Sequence, residues 1–281
     1  MGSELMYAKA IVLLVAVMLI AVGTAVAVTK LMAHASGSPP VSSASPTAAA
    51  RSGNPSSCLD LVVPAYFNDM SNWTRATQTR PPPANLILDL PNGVGAGTAP
   101  DPSFQALVRQ AKSAGLTILG YSSTVDGTRP VADVEADARH YRDWYGVTHA
   151  FLDRVTGQSA QFAYYQQLSS YIHQLDGPSS VWMNPGDYPD QDYMSLGDVV
   201  MVFEGTYQQY LALQVPTWVG GFSPSRFAHT VYATPDTDLV NTLQLAQRRR
   251  AMHVYVTDLT GTNPYEALPS YWSRESAYGC G

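Results

Sequence analysis

The sequence has little charge and very little of it is lysine. Only 14% of its 281 residues are charged, and the formal net charge is −6. No basic stripe interleaved with aromatics is present, which argues against a nucleic-acid partner. The one basic run, Arg248-Arg249-Arg250, falls at the end of an expected helix, where cations complement the helix dipole. No histidines pair at ligand spacing and the two cysteines are far apart, so no metal site is expected. The glycine-rich stretch Pro91 to Gly97 lacks the Lys-Ser/Thr of a P-loop and the spacing of a dinucleotide fingerprint, so no cofactor is expected either. There is no Gly-x-Ser-x-Gly elbow for a serine hydrolase, and no internal repeat.

One long hydrophobic run is present. Ala10 to Val28 is unbroken by charge and bounded by Lys9 and Lys30, close to the ~20 residues that cross a bilayer. Two readings of residues 1–35 stay open: a retained single-span anchor, or a signal peptide cleaved near Ala33-His34-Ala35. Either puts the rest of the chain at the cell surface or in secreted form. Residues 36–57 are Ser, Pro, Ala and Gly with almost no large apolar side chain, a spacer that cannot offset its ordering entropy. The folded domain is expected over residues 58–281. Its ends carry Cys58 and Cys280. Behind an export signal these read as a disulfide joining first strand to last helix, the alternative being two unrelated thiols.

Within the domain, apolar strand-length runs alternate with helical stripes. Strands are expected at Leu59–Phe67, Asn85–Leu90, Leu116–Tyr121, His149–Asp153, Ser180–Met183 and Asp198–Glu204. A weaker seventh region covers Pro216–Phe222 and Ala228–Tyr232, and an eighth strand Met252–Asp258. Between them, residues such as Phe104, Leu107, Val108 and Ala111 keep the i, i+3, i+4, i+7 spacing of a buried helix face. About eight β-α alternations predict an α/β fold, a single (β/α)8 TIM-type barrel.

A barrel gathers its strand ends on one rim, where the chemistry of this fold sits. That rim would collect Tyr66, Asp89, Tyr121, Asp153, Arg154, Asn184, Glu204, Tyr207 and Asp258. Two of them end doubly buried apolar strands in an acid: Phe151-Leu152-Asp153 and Val202-Phe203-Glu204. Their strands are separated by one strand, so backbones ~10 Å apart would bring the carboxylates within roughly 5–9 Å. Such a pair suits glycosidic-bond cleavage, with Glu204 the proton donor and Asp153 the nucleophile or base. Each acid singly would also fit a helix cap or an ion pair with Arg154 or Arg129. Trp182 reads as barrel core, whereas Tyr188 and Tyr207, just past strand ends, read as platforms for sugar rings.

These residues resemble the spherulin-4-like proteins, grouped as glycoside hydrolase family 135. The likeness runs from about Leu61 to Trp272. It is carried by Val63-Pro64-Ala65-Tyr66, Gly120-Tyr121 with Thr124 and Arg129, Phe151-Leu152-Asp153, Asn184-Pro185-Gly186, Phe203-Glu204, Tyr255-Val256-Thr257-Asp258 and Asn263-Pro264-Tyr265. The resemblance implies a secreted or surface-attached endo-glycosidase for an α-1,4-linked galactosamine or N-acetylgalactosamine polymer. It implies Asp153 and Glu204 as the essential acids and Asn184 near substrate. Two positions depart from the pattern: Arg154 stands where a second acid is usual, and the loop after the second strand begins Asp89-Leu90-Pro91-Asn92. They leave a second reading beside the enzyme, a non-catalytic sugar-binding or cell-envelope domain on the same scaffold.

Overall fold

The structure is a computed structural model that describes residues 58–280 other than positions 68 and 96. The expected anchor (1–35) and linker (36–57) lie outside the described residues. Eight parallel strands close into a barrel in chain order. They are β1 Asp60–Ala65, β2 Asn85–Leu88, β3 Thr117–Ser123, β4 His149–Asp153, β5 Val181–Asn184, β6 Val199–Thr206, β7 Phe227–Tyr232 and β8 His253–Val256. Closure comes where β1 meets β8, pairing Asp60 with His253 and Leu61 with Val254. The helices are α1 Met70–Gln78, α2 Pro102–Ser113, α3 Val131–Tyr145, α4 Phe162–His173, α5 Tyr207–Ala212, α6 Leu239–Arg248 and α7 Trp272–Ser276. After β5 a single 3-10 turn, Gln191–Ser195, replaces the helix.

Local sequence accounts for these elements. Asp101 caps α2 by accepting from Ser103 N at 2.7 Å, with Pro102 at the first helical position. Leu107, Val108 and Ala111 then bury against the barrel, the two larger side chains worth roughly 1.5–3 kcal/mol each. On α3, Tyr141 lies across β3 so closely that a Cβ at Gly120 would stand 2.6 Å from its ring. The Tyr141 hydroxyl donates to the Leu88 carbonyl at 2.9 Å, tying α3 to the ends of β2 and β3. Glu275 of α7 is fully buried, accepts from Val256 N at 2.7 Å, and is held well above the usual carboxylate range chiefly by burial.

The barrel is filled from within by Val62, Ile87, Leu119, Phe151, Trp182, Val199, Met201 and Ala228. Trp182 is thus core, as expected. Cys58 and Cys280 form a disulfide beside the bridge between Leu59 and Gly279, so the domain ends do meet.

One reading needs correction. Pro216–Phe222 is not strand: Thr217–Gly221 is a 3-10 turn, and β7 begins at Phe227. Gly220-Gly221 offers no side chains to pack on a pleated face. Helices α1 and α5 have no counterpart among the expected elements. Asn72 lies buried in α1 and accepts from Leu268 N at 3.3 Å. The arginine run does lie at the end of α6, but its side chains bind other elements: Arg249 donates to the Tyr210 and Leu211 carbonyls of α5, and Arg250 to that of Phe222.

Candidate active site

Strand alternation decides which side chains enter the barrel mouth. Along β4, Phe151 fills the interior, so Asp153, two residues on, points inward above it. Along β5, Trp182 is interior and Asn184 follows in the same phase. Strand β6 needs a further device. Val199 and Met201 point inward, while Val200 and Val202 join the cluster beneath the helices. Unbroken alternation would send Phe203 in and Glu204 out. The register against β7 instead slips between Met201 and Phe203. The extra residue turns Phe203 outward onto Tyr210 and Val231 and brings Glu204 in, the re-aiming that bulges perform beside functional sites.

The result is one hydrogen-bonded cluster. Asn184 Nδ2 donates to Asp153 Oδ1 at 2.9 Å and to Glu204 Oε2 at 2.6 Å. Its Oδ1 accepts from Gly186 N at 3.0 Å, which fixes the amide with its two hydrogens toward the acids. Two oxygens that share one nitrogen at these distances are at most about 5.5 Å apart. Tyr121 OH donates to the other Asp153 oxygen at 2.8 Å. Tyr265 OH donates to the other Glu204 oxygen at 2.9 Å. Tyr66 stands edge-on between the two tyrosines, 5.5 Å from Tyr121 and 5.8 Å from Tyr265 between ring centres. Burial, reinforced by the nearby carboxylates, raises the hydroxyls of Tyr66, Tyr121 and Tyr265 far above their ordinary range, so all three keep their protons, and Tyr121 and Tyr265 serve as donors.

The structure therefore brings Asp153, Glu204, Asn184, Tyr66 and Tyr121 together. Asp89 follows β2 beside them. It accepts no hydrogen bond among the described residues, and its carboxyl is pushed up to about 6, first by burial and then by the Asp153 charge. Three residues expected on this rim are engaged elsewhere. Asp258 accepts from Ser270, at 3.0 Å from its backbone N and again from its hydroxyl. Tyr207 begins α5 and packs on the outer cluster of Phe203, Tyr210 and Val231. Arg154 takes a left-handed backbone conformation, φ 54°, and its guanidinium pairs with Asp126 on the β3–α3 loop. Alternation turns it away from Asp153, and Arg129 is paired with Asp137 at 2.6 Å. Asp153 is thus not an ion-pair partner for either arginine.

Tyr265 is the residue the strand-end argument missed. It comes from the loop after β8, which has no periodicity to read. Its one signal was membership of the Asn263-Pro264-Tyr265 motif. A cleft of about 710 Å³ opens beside the acid pair, between the 89–95 loop and β3–α3. Neither acid lines it, but Tyr121 does and so joins it to Asp153.

Fold and site define a (β/α)8 barrel with an amide-bridged acid pair at its carboxyl rim. The family model for the spherulation-specific family 4 matches residues 60–278, and the chain belongs to that family. It is 28% identical over 233 residues to Spherulin-4 of Physarum polycephalum, covering 78% of this chain and 69% of that one. Among solved structures it is similar in fold to Aspergillus clavatus Sph3, crystallised in complex with GalNAc. The TM-score is 0.70 at 21% identity, over 79% of this chain and 97% of the other. The resemblance read from the motifs is borne out at the level of the family and the barrel.

Proposed function

We propose that this protein is a glycoside hydrolase that cuts an exopolysaccharide within the chain, with α-1,4-linked galactosamine or N-acetylgalactosamine units as substrate. One observation carries this reading: a single amide, Asn184, bridges Asp153 and Glu204. Cleavage at a sugar's anomeric carbon needs an acid to protonate the leaving oxygen and a second carboxylate on the other side of the bond. Glu204 gives its proton to the glycosidic oxygen as the C1–O bond breaks. Asp153, as carboxylate, attacks C1 and forms a glycosyl ester. Glu204 then takes a proton from water, which displaces Asp153 at C1. The shared amide holds one oxygen of each acid within about 5.5 Å of the other, a closeness that favours this retaining course. The family match and the likeness to a barrel crystallised with GalNAc support the substrate class. The alternative of a non-catalytic domain drew on Arg154 and on the altered loop from Asp89; the ion pair of Arg154 with Asp126 removes the first of these motives and leaves the second.

We place the barrel outside the cytoplasm, tethered by the 10–28 segment or released by cleavage near Ala33-His34-Ala35. The terminal disulfide supports this, because such bonds persist in oxidising compartments. The test is oligosaccharide release from deacetylated and acetylated galactosamine polymers. Asp153→Asn and Glu204→Gln should each lower kcat by about 10³-fold or more, and the first product seen by NMR should keep the α configuration. Near-wild-type release by both variants, with the fold intact, excludes these roles.

A further inference from the structure

The cleft beside the acid pair has a chemistry of its own. Its floor is the start of the loop after β2, with Asp89, Asn92 and Gly95, and its other wall is Tyr121 with α3. Gly95 runs so close to α3 that a Cβ there would stand 3.0 Å from the His140 ring, so this wall has no room for a side chain. At about 710 Å³ the space lies within the range of small-molecule sites. The arginine that lines it is already engaged. Arg129 binds Asp137 at 2.6 Å and donates to the Ser123 and Asp133 carbonyls. Asp89 has no counterpart of this kind: burial and the Asp153 charge both disfavour its ionised form, and no donor or cation among the described residues offsets them. A half-buried carboxylate without a partner is unfavourable in the empty protein, and a ligand cation would relieve it.

We propose that this cleft receives the sugar unit next to the scissile bond, and that Asp89 selects there for a free protonated 2-amino group over an acetamide. An ammonium brings the charge and the donors that Asp89 lacks. An acetamide offers one N–H, no charge and a methyl group that displaces water from a polar wall. Tyr121 fixes the distance, because it lines the cleft and donates to Asp153 at 2.8 Å. A ring seated against Asp89 is therefore a neighbour of one held at the acid pair. The inference rests on the glycosidase reading and refines it: the polymer is cut where at least one flanking unit is deacetylated.

The test uses Glu204→Gln protein, so that ligands survive, and isothermal titration at pH 7 and low salt with two α-1,4 galactosamine tetramers, one free-amine and one fully N-acetylated. The free-amine tetramer should bind about tenfold more tightly. Adding Asp89→Asn should bring the ratio of the two affinities close to one, while the melting temperature shows that the fold persists. High salt should shrink the ratio in the parent and not in the double variant. Equal affinity for the two tetramers in the parent, or a ratio that survives Asp89→Asn, overturns the role of Asp89 and leaves the glycosidase reading standing. Absence of binding to either tetramer, together with no cleavage by the wild-type protein, overturns the substrate reading and this inference with it.

Discussion

Tyr265 reaches an oxygen of Glu204 from the loop after β8. Its ring is buried among Tyr66, Tyr232 and Tyr255, so its hydroxyl has little freedom to donate elsewhere. Tyr265→Phe keeps that packing and removes only the donor. It should lower kcat by about 10–100-fold with little change in KM, since the lost bond positions a reacting group. Asp89 makes an opposite prediction for stability. Its carboxyl titrates near 6 in the folded protein against an ordinary value of 3.8. The folded state therefore holds this proton more tightly than the unfolded state does. The stability linked to it is fully present below pH 3.8 and is lost as pH rises through about 6. At pH 7 the wild type carries an ionised, half-buried group without a partner. Asp89→Asn should be more stable at pH 7 by roughly 1–2 kcal/mol, once partial exposure is discounted. Denaturant midpoints at pH 7 and pH 4 check this, since the difference should fade at the lower pH. A residue whose removal stabilises the fold is what a ligand-facing charge looks like.

At the scale of elements, α5 is short and leans on its start. Thr206 and Gln209 form a capping box, with Gln209 N donating to the Thr206 hydroxyl at 3.2 Å and Thr206 N to Gln209 Oε1 at 2.9 Å. Thr206→Ala should cost about 1 kcal/mol and lower the melting temperature by about 2–4 °C. That Thr-x-x-Gln signal was legible, yet six residues leave too little apolar spacing to name a helix from periodicity. Strands β4 and β6 were legible for the opposite reason. Burial on both faces writes them as unbroken apolar runs, and the acid that ends each run stands out. What could not be read is the slip between Met201 and Phe203. No glycine or proline marks it in Val199-Val200-Met201-Val202-Phe203, and simple alternation assigns Glu204 to the wrong side. The sequence pairing of Asp153 with Glu204 thus reached the right residues through strand order alone. Asp258 failed by the same rule: it lies two residues past β8, but Ser270 captures its carboxylate, and nothing in local sequence shows which loop will return to a strand end.

At the scale of the whole domain, the barrel has a thin seam. Strands β1 and β8 pair only through Asp60–His253 and Leu61–Val254, as few as β5 and β6 with Trp182–Val199 and Met183–Val200, whereas β6 and β7 stay paired from Val200–Phe227 through Thr206–Tyr232. The Cys58–Cys280 disulfide sits just before the start of β1, at the amino end of the barrel and at this seam. It closes a loop of 222 residues, which in the chain-entropy view limits the unfolded state by up to about 5 kcal/mol. The acid pair lies at the other end of the strands, so the bond acts on stability without touching the chemistry. Cys280→Ser should therefore lower the melting temperature by on the order of 5–15 °C. Its kcat at 25 °C should stay within about twofold of wild type on whichever polymer the wild type cuts. A calorimetric scan with and without reductant checks the first half, because reductant should bring the wild type to the variant's melting temperature and leave the variant where it is. Loss of activity in folded Cys280→Ser protein at 25 °C would show instead that the seam and the rim are mechanically coupled through β1, whose far end leads into Tyr66.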